Sequence, residues 1–224
     1  MSTNEHKDIY VLIYMKGWRE SLEETVDRRI LRTRQMLREA LIELIEIKGY
    51  DGISVRQLTE KAGLNRGTFY LHYRDLQDLL DQCAEDMIQG WMQIMREFNP
   101  VEIQNNKYLC DPNPHVTRVY EYFRTNSWFF KVILGPKGDP SFPLKMKRSM
   151  LEHLENKRVK LQIKDEDCLV PADYINEYVL SVNMGILQRW FERGMVETPE
   201  EMAIINTRLS QLGPLGSSGF PVNK

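Results

Sequence analysis

Between Ser54 and Arg74 the chain reads S-V-R-Q-L-T-E-K-A-G-L-N-R-G-T-F-Y-L-H-Y-R, a run whose punctuation allows little besides two short helices and a tight corner. Ser54 and Gln57 form an S-x-x-Q capping box, in which the hydroxyl takes the third helical N–H and the amide reaches back to the cap. Val55, Leu58 and Ala62 follow at helical spacing and give this helix one apolar face. Gly63 stops it, because glycine takes the left-handed conformation after a helix without a Cβ penalty. Leu64 plugs the corner, and Asn65 caps a second helix through Arg66, Thr68, Tyr70 and His72. Spacing alone also fits any small pair of helices. The second helix argues otherwise, since Arg66-Gly67-Thr68-Phe69-Tyr70-Leu71-His72-Tyr73 offers hydrogen-bonding side chains where a buried hairpin would place aliphatics. Gly67 costs about 1 kcal/mol against alanine, a cost that makes sense if the backbone must come close to a partner. The pattern is a helix-turn-helix, and double-stranded DNA is the expected partner.

Charge agrees. Ten Lys or Arg and five acids lie between Arg28 and Arg74, so this segment is +5 while the whole chain is −2. A basic end on an acidic body is the electrostatic footprint of a DNA reader. The 224 residues are 42% apolar, enough for one large or two modest soluble globular domains. Cys83, Cys110 and Cys168 are widely spaced, form no C-x-x-C and suit a reducing compartment. His6, His72, His115 and His153 share no ligand spacing, so neither a metal nor another cofactor is expected. Without a Walker loop, a G-x-S-x-G or an H-E-x-x-H, the chain gives enzymatic chemistry no foothold.

The run L-x-E-K-A-G-L-N-R-G-T-F-Y-L-H-Y-R resembles the DNA-binding segment of the TetR (tetracycline-repressor-like) family of bacterial transcription regulators. The similarity extends from about Arg28 to about Leu80, and T-F-Y-x-H-Y after an A-G-L turn is rarely met elsewhere. Further on, F-F-K-V-I-L-G-P-K-G-D-P-S-F resembles the C-terminal domain of a TetR subgroup that includes activators of dihydroxyacetone-kinase operons. The resemblance implies an all-α fold, with a three-helix helix-turn-helix head and a larger helical domain for effector binding and dimerisation. It also implies a homodimer on a near-palindromic operator, a small apolar or aromatic effector, and a cytoplasmic, nucleoid-associated bacterial protein without a membrane partner.

Boundaries follow from composition and periodicity. Residues 1–24 read as an N-terminal extension, whose apolar run Ile9–Met15 is too short to span a bilayer. It lacks a basic start and a small-residue cleavage site, so a signal peptide is not expected; an ordered arm and a loose tail both fit it. Residues 25–75 are the head, with a first helix over 25–48 striped by Ile30, Leu37, Leu41 and Leu44. Residues 76–212 are the body. Asp75 caps a helix from Leu76 to about Phe98, and a polar loop leads to Pro114. Helices are expected near 116–124, 127–134, 142–161, 172–193 and from Thr198 onward, with a turn-rich loop at 135–142. The helix over 172–193 is apolar around so much of its circumference that burial on more than one side is expected. Residues 213–224, rich in Gly, Pro and Ser, read as a loose tail.

Roles in the head follow from chemistry. Arg66 is placed to bond guanine O6 and N7 together, and Arg56 is a second candidate for base or phosphate. Thr68 and Tyr70 suit either, Gly67 allows close approach, and Ser54 opens a helix N-terminus that holds phosphate. The resemblance puts His72 and Arg74 on phosphates. Where many relatives carry a phosphate-binding Lys this chain has Leu76, which removes one backbone contact. Phe69 and Tyr73 are assigned to the core of the head. In the body, Trp91, Met92, Met95, Tyr120, Phe123, Trp128 and Phe129 are the candidate lining of an effector cavity, although aromatic residues at helical spacing serve a plain core equally well. Tyr178, Val182, Gly185, Ile186, Arg189, Met202, Ile205 and Leu209 are the candidate dimer interface. Ser181 and Gly185, four apart, would admit another backbone; two internal core helices are the alternative, and the resemblance favours the interface. A nucleoid-structuring factor without a ligand, and a co-activator bound to another protein, are the other functions such a head could serve.

Overall fold

Each long apolar stripe in the sequence is met by a helix, and the residues described by the computed structural model (28–99, 106–164, 166 and 168–219) contain no strand. The fold is all-α. Residues 1–24 of the expected extension, 25–27 of the first helix and 220–224 of the tail lie outside the described residues. The first helix, α1, runs over 28–48 and is followed by a 3-10 turn at Tyr50–Gly52. Then come α2 (Val55–Ala62), α3 (Arg66–Tyr70) and α4 (Leu76–Glu97). A second 3-10 turn at Asn106–Leu109 leads to α5 (Pro114–Thr125), α6 (Ser127–Ile133), α7 (Phe142–Lys160), α8 (Ala172–Glu192) and α9 (Pro199–Ser217).

Local chemistry sets most of these limits. Asp75 accepts the Asp78 N–H at the start of α4, and Asn113 accepts the His115 and Val116 N–H groups at the start of α5. Thr198 and Glu201 close a full capping box on α9, with Pro199 in its first turn. Gly213 (φ 65, ψ 179) breaks α9, and one further helical turn continues to Ser217. The break falls where the expected tail begins.

The head is built on Leu37, Leu41 and Ile45 of α1, Leu58 of α2, and Phe69 and Tyr73 around α3, all of them buried in the core. It is tied to the body by the loop between α6 and α7. Lys137 Nζ donates to the carbonyls of Glu46 and Ile47 at 3.2 and 2.9 Å, two acceptors that the last turn of α1 leaves free. The Tyr50 N–H returns to the Lys137 carbonyl at 3.2 Å. Buried Asp139 holds the loop by accepting from the Ser141 N–H and hydroxyl, each at 2.8 Å. Gly138 is required here, since a Cβ would run into the Ile133 carbonyl.

In the body, α4 packs on α5 and α7, α9 lies along α5, and α8 meets α6 and α7. Phe123, Phe129, Phe130 and Phe142 form its aromatic centre, with edge-to-face pairs such as Phe123–Phe130 at 4.9 Å. One expectation is corrected: α8 is not buried on more than one side. Only Leu187, Trp190 and Phe191 are buried, whereas Tyr174 and Tyr178 are 68% and 53% exposed and Ile175 and Val179 are also open. The physical reason is that the last turns of α8 sit inside the packed layers, while its first half packs through Leu180 and leaves Tyr174, Ile175 and Tyr178 open.

Candidate nucleic-acid interface and internal cavity

The capping box at Ser54 forms as the sequence requires, with the Gln57 N–H on the Ser54 hydroxyl at 3.3 Å and the Ser54 N–H on Gln57 Oε1 at 3.0 Å. Gly63 turns the chain at φ 65 and ψ 30, in the left-handed region. Asn65 Oδ1 then accepts both the Thr68 N–H (2.7 Å) and the Thr68 hydroxyl (3.0 Å). This cap gives Gly67 a second, local purpose: a Cβ at that position would stand 3.2 Å from Asn65 Oδ1. It also commits the hydroxyl hydrogen of half-buried Thr68, leaving that residue its methyl and its oxygen lone pairs.

Two faces separate across α3. Phe69 and Tyr73 point inward and are fully buried, while Arg66, Gly67 and Tyr70 are exposed. The helix stops at Tyr70, two residues short of the expected His72. Leu71 and His72 continue in a turn, where the His72 N–H bonds the Phe69 carbonyl at 2.9 Å. Arg66 Nη2 lies 3.5 Å from the Tyr70 hydroxyl, the outer limit of a hydrogen bond. Arg56 is paired with Glu60 at 2.8 Å, both at the surface, and exposed Arg74 is paired at 3.2 Å with Asp78, whose side chain is only 14% exposed. An exposed pair such as Arg56–Glu60 contributes little, so that guanidinium exchanges its carboxylate for a phosphate cheaply. Ser54, Arg56, Arg66, Gly67, Tyr70 and Arg74 are all exposed, and Thr68 and His72 are partly so. Leu76 is half-buried and packs on the core, as an apolar residue would.

His72 has its pKa lowered, first by partial burial and then by the Arg34 guanidinium of α1. Arg34 thus stands as a further basic group near His72, a neighbour that local sequence spacing does not reveal. The lowered value has a definite sign in linkage. Between its folded pKa and about 6.5 the unfolded chain binds more protons, so stability rises with pH across that window and falls as acid is added. His72→Gln should therefore flatten the acid side of a stability profile measured by urea melts from pH 7.5 downward. An unchanged slope would mean that His72 titrates alike in both states.

A cavity of about 500 Å³ lies within the body between α4, α5, α7, α8 and α9. Of the candidate lining residues, Trp91, Met95, Tyr120 and Phe123 reach it. Met92, Trp128 and Phe129 do not. Met92 and Phe129 are buried in the core, and α6, which carries Trp128 and Phe129, contributes no side chain to the wall. One helical step rotates a side chain by about 100°, enough to turn Met92 away from the cavity that Trp91 faces. Sequence reasoning missed a whole wall, supplied by α7. Met146, Met150, His153 and Lys157 fall at i, i+4, i+7 and i+11, one face of a helix, and all four line the cavity. That spacing was the available signal. At another point of the wall Asn206 donates to the Tyr120 hydroxyl (3.3 Å) and to Asn183 Oδ1 (2.6 Å), and burial pushes the Tyr120 pKa up to about 12.

Family comparison agrees with this geometry. Residues 37–83 match the model of the bacterial regulatory proteins of the tetR family, and residues 110–211 match its transcriptional regulator C-terminal region, together about two thirds of the chain. The chain belongs to the TetR family. Among curated TetR relatives, the uncharacterized HTH-type regulator YxbF of Bacillus subtilis is 39% identical over 75 residues, 31% of this chain. That match spans only 20% of YxbF. The HTH-type transcriptional repressor AcnR of Corynebacterium diphtheriae is 24% identical over 75% of this chain and 86% of its own length. A TetR regulator from Streptococcus agalactiae superposes with a TM-score of 0.58 at 22% identity, covering 84% of this chain and 98% of that one. The dihydroxyacetone kinase operon activator DhaS, at 19% identity and a TM-score of 0.48, covers 80% and 95%.

On this TetR chain the candidate dimer residues divide. Tyr178, Gly185 and Arg189 of α8 are exposed, and Val182, Ile186, Ile205 and Leu209 are half-buried. Met202 is 4% exposed, so it serves the chain's own core and is removed from the candidate interface. Gly185 has open space around it: a Cβ there would meet nothing within 4 Å. Among the described residues no helix is long and apolar enough to cross a membrane, and no group of three His, Cys, Asp or Glu is placed to hold a metal ion.

Proposed function

We propose that the protein is a homodimeric regulator that binds a near-palindromic operator through its helix-turn-helix and is modulated by a small, largely apolar effector. The single observation behind this is the division of the segment around α3, with Phe69 and Tyr73 locked in the core while Arg66, Tyr70 and Arg74 are exposed on the other side. In this reading Arg66 reads a base edge, Tyr70 and Gly67 meet the groove, and Arg56, His72, Arg74 and the α2 N-terminus at Ser54 hold phosphates. Residues 25–75 act as the head and 76–212 as the body, and the protein works in the cytoplasm at the nucleoid.

Helix α4 is the expected link between effector and operator. Its Trp91 and Met95 form cavity wall, while its Asp86 pairs with Arg38 of α1 and its Asp81 with Lys145 of α7 at 2.6 Å. A ligand that shifts α4 shifts the head through the Asp86–Arg38 pair, while Asp81–Lys145 couples α4 to the cavity helix α7. The test is direct. A duplex selected from a random pool should be a near-palindrome that binds two chains, with an affinity falling steeply as salt rises. Selection of duplexes without shared sequence, or binding of one chain per site, would overturn the proposal.

A further inference from the structure

One part of the cavity is charged. On α7 the lining face runs from Met146 and Met150 to His153 and Lys157, so two apolar side chains are followed by two basic ones. Lys157 Nζ and His153 Nε2 are both shut off from solvent, and neither has a hydrogen-bond partner among the described residues. Lys157 Nζ instead lies over the Phe98 ring, 5.4 Å from its centroid, and His153 bonds the Met95 main chain. The other lining lysine, Lys147, is already paired with Glu177 at 2.6 Å. Among the described lining residues, Lys157 is therefore the cation without a carboxylate. A buried ammonium and a buried imidazole nitrogen left bare are costly in a folded chain, and such groups mark a place where a ligand completes the set.

We infer that the cavity binds an amphipathic monocarboxylate, its carboxylate on the Lys157 ammonium beside His153 and its apolar body along Trp91, Phe123 and Met146. The inference rests on the reading of this cavity as an effector site and names the class of ligand. One unpaired cation suits one negative charge; a dianion such as a phosphate monoester would need a second. The rest of the wall is mostly apolar, and Trp91 and Phe123 lie in ring contact at 5.9 Å. From Trp91 to Phe98 along α4 is seven residues, about 10 Å at 1.5 Å per residue, room for a hydrocarbon chain or a ring system behind the head group. Burial lowers the pKa of Lys157 first and of His153 likewise, and an anion beside them would reverse both shifts.

The test uses the full chain without DNA and three ligands of one length: decanoate, decanol and decylamine, followed by calorimetry and by Trp91 fluorescence. Decanoate should bind about tenfold to a hundredfold more tightly than decanol, the worth of one charge-assisted hydrogen bond. Decylamine should bind worst. Lys157→Met should abolish the preference for decanoate and keep decanol binding, with Lys157→Gln as a second variant and a thermal melt to show that both fold. Equal binding of decanoate and decanol, no binding of decanoate, or a preference that survives in both variants would each overturn the inference. Operator release is measured separately. If decanoate binds through Lys157 and leaves DNA bound, the carboxylate site stands and the effector reading fails. If a neutral ligand releases DNA while decanoate does not bind, the effector reading stands and the carboxylate site fails.

Discussion

Tyr178→Glu is expected to leave the protein folded, make it monomeric, and weaken operator binding by roughly a hundredfold or more, since one head reaches only half of a two-fold site. Tyr178 is 53% exposed on the open half of α8, beside exposed Tyr174, Ile175 and Val179. Contiguous apolar side chains of this size on a free surface mark an interaction site. In an isologous interface each substitution appears twice, and each buried carboxylate would lack a partner, a penalty of several kcal/mol per ion by effective estimates. In the single chain the same carboxylate lies in water and costs almost nothing, so the fold survives. Gly185→Leu supplies an independent arm. Nothing within 4 Å opposes a Cβ at Gly185 in the chain itself, and leucine favours helix by nearly 1 kcal/mol over glycine. A leucine there should raise the stability of the protomer and block close approach of a second backbone; because Gly185 also lines the cavity, ligand binding is measured in the same variant. Sedimentation and thermal melts read the two effects separately. Variants that still sediment as dimers and hold the operator would remove α8 from the interface.

What the sequence made legible is what short-range chemistry decides. Ser54 finds Gln57, Asn65 finds Thr68, Asp75 finds Asp78 and Thr198 finds Glu201, each three residues away, so helix starts could be read without a fold. Gly63 followed from a backbone angle that glycine alone takes freely. The cavity depended on long-range packing instead. Trp91 and Met92 are neighbours in sequence and both buried, yet only one faces the open space, and the difference is set by where α5 and α7 come to rest. Trp128 and Phe129 failed for a related reason, because α6 is spent on the aromatic centre around Phe130 and Phe142. The basic wall of α7 was hidden by composition: a helix rich in Lys, Arg and Glu reads as solvated, and His153 and Lys157 fall into line with Met146 and Met150 only when its buried face is known. Met202 misled in the opposite direction, as an apolar stripe on a terminal helix serves an internal core and an interface alike.

Arg66→Ala is expected to cost about 1–3 kcal/mol per half-site on the selected operator and to relax sequence preference at one base pair in each half. Two half-sites make the loss roughly double for the dimer, since the two arginines are far apart and their effects add. Arg66 has the freedom this role needs. It is exposed, and among the described residues it pairs with no carboxylate and bonds only the Tyr70 hydroxyl, at 3.5 Å, so its guanidinium is available to bond two acceptors on a guanine edge. Arg74 is set differently, beyond the end of α3 and drawn back to Asp78 by its side chain at 3.2 Å and its N–H at 2.9 Å. That geometry suits a phosphate, and Asp78 keeps a low pKa first through the Arg74 N–H and then through its guanidinium. Arg74→Ala should therefore weaken selected and scrambled duplexes about equally and reduce the salt slope by roughly one unit for each phosphate that no longer meets a guanidinium. Neither substitution should lower the melting temperature much, because both side chains lie in water in the free protein. Titrations of both variants on selected and scrambled duplexes at several salt concentrations separate the roles. If Arg66→Ala weakens the two duplexes alike, base reading passes to Arg56, which must first leave Glu60 at 2.8 Å, and Arg56→Ala should then show the loss of preference instead.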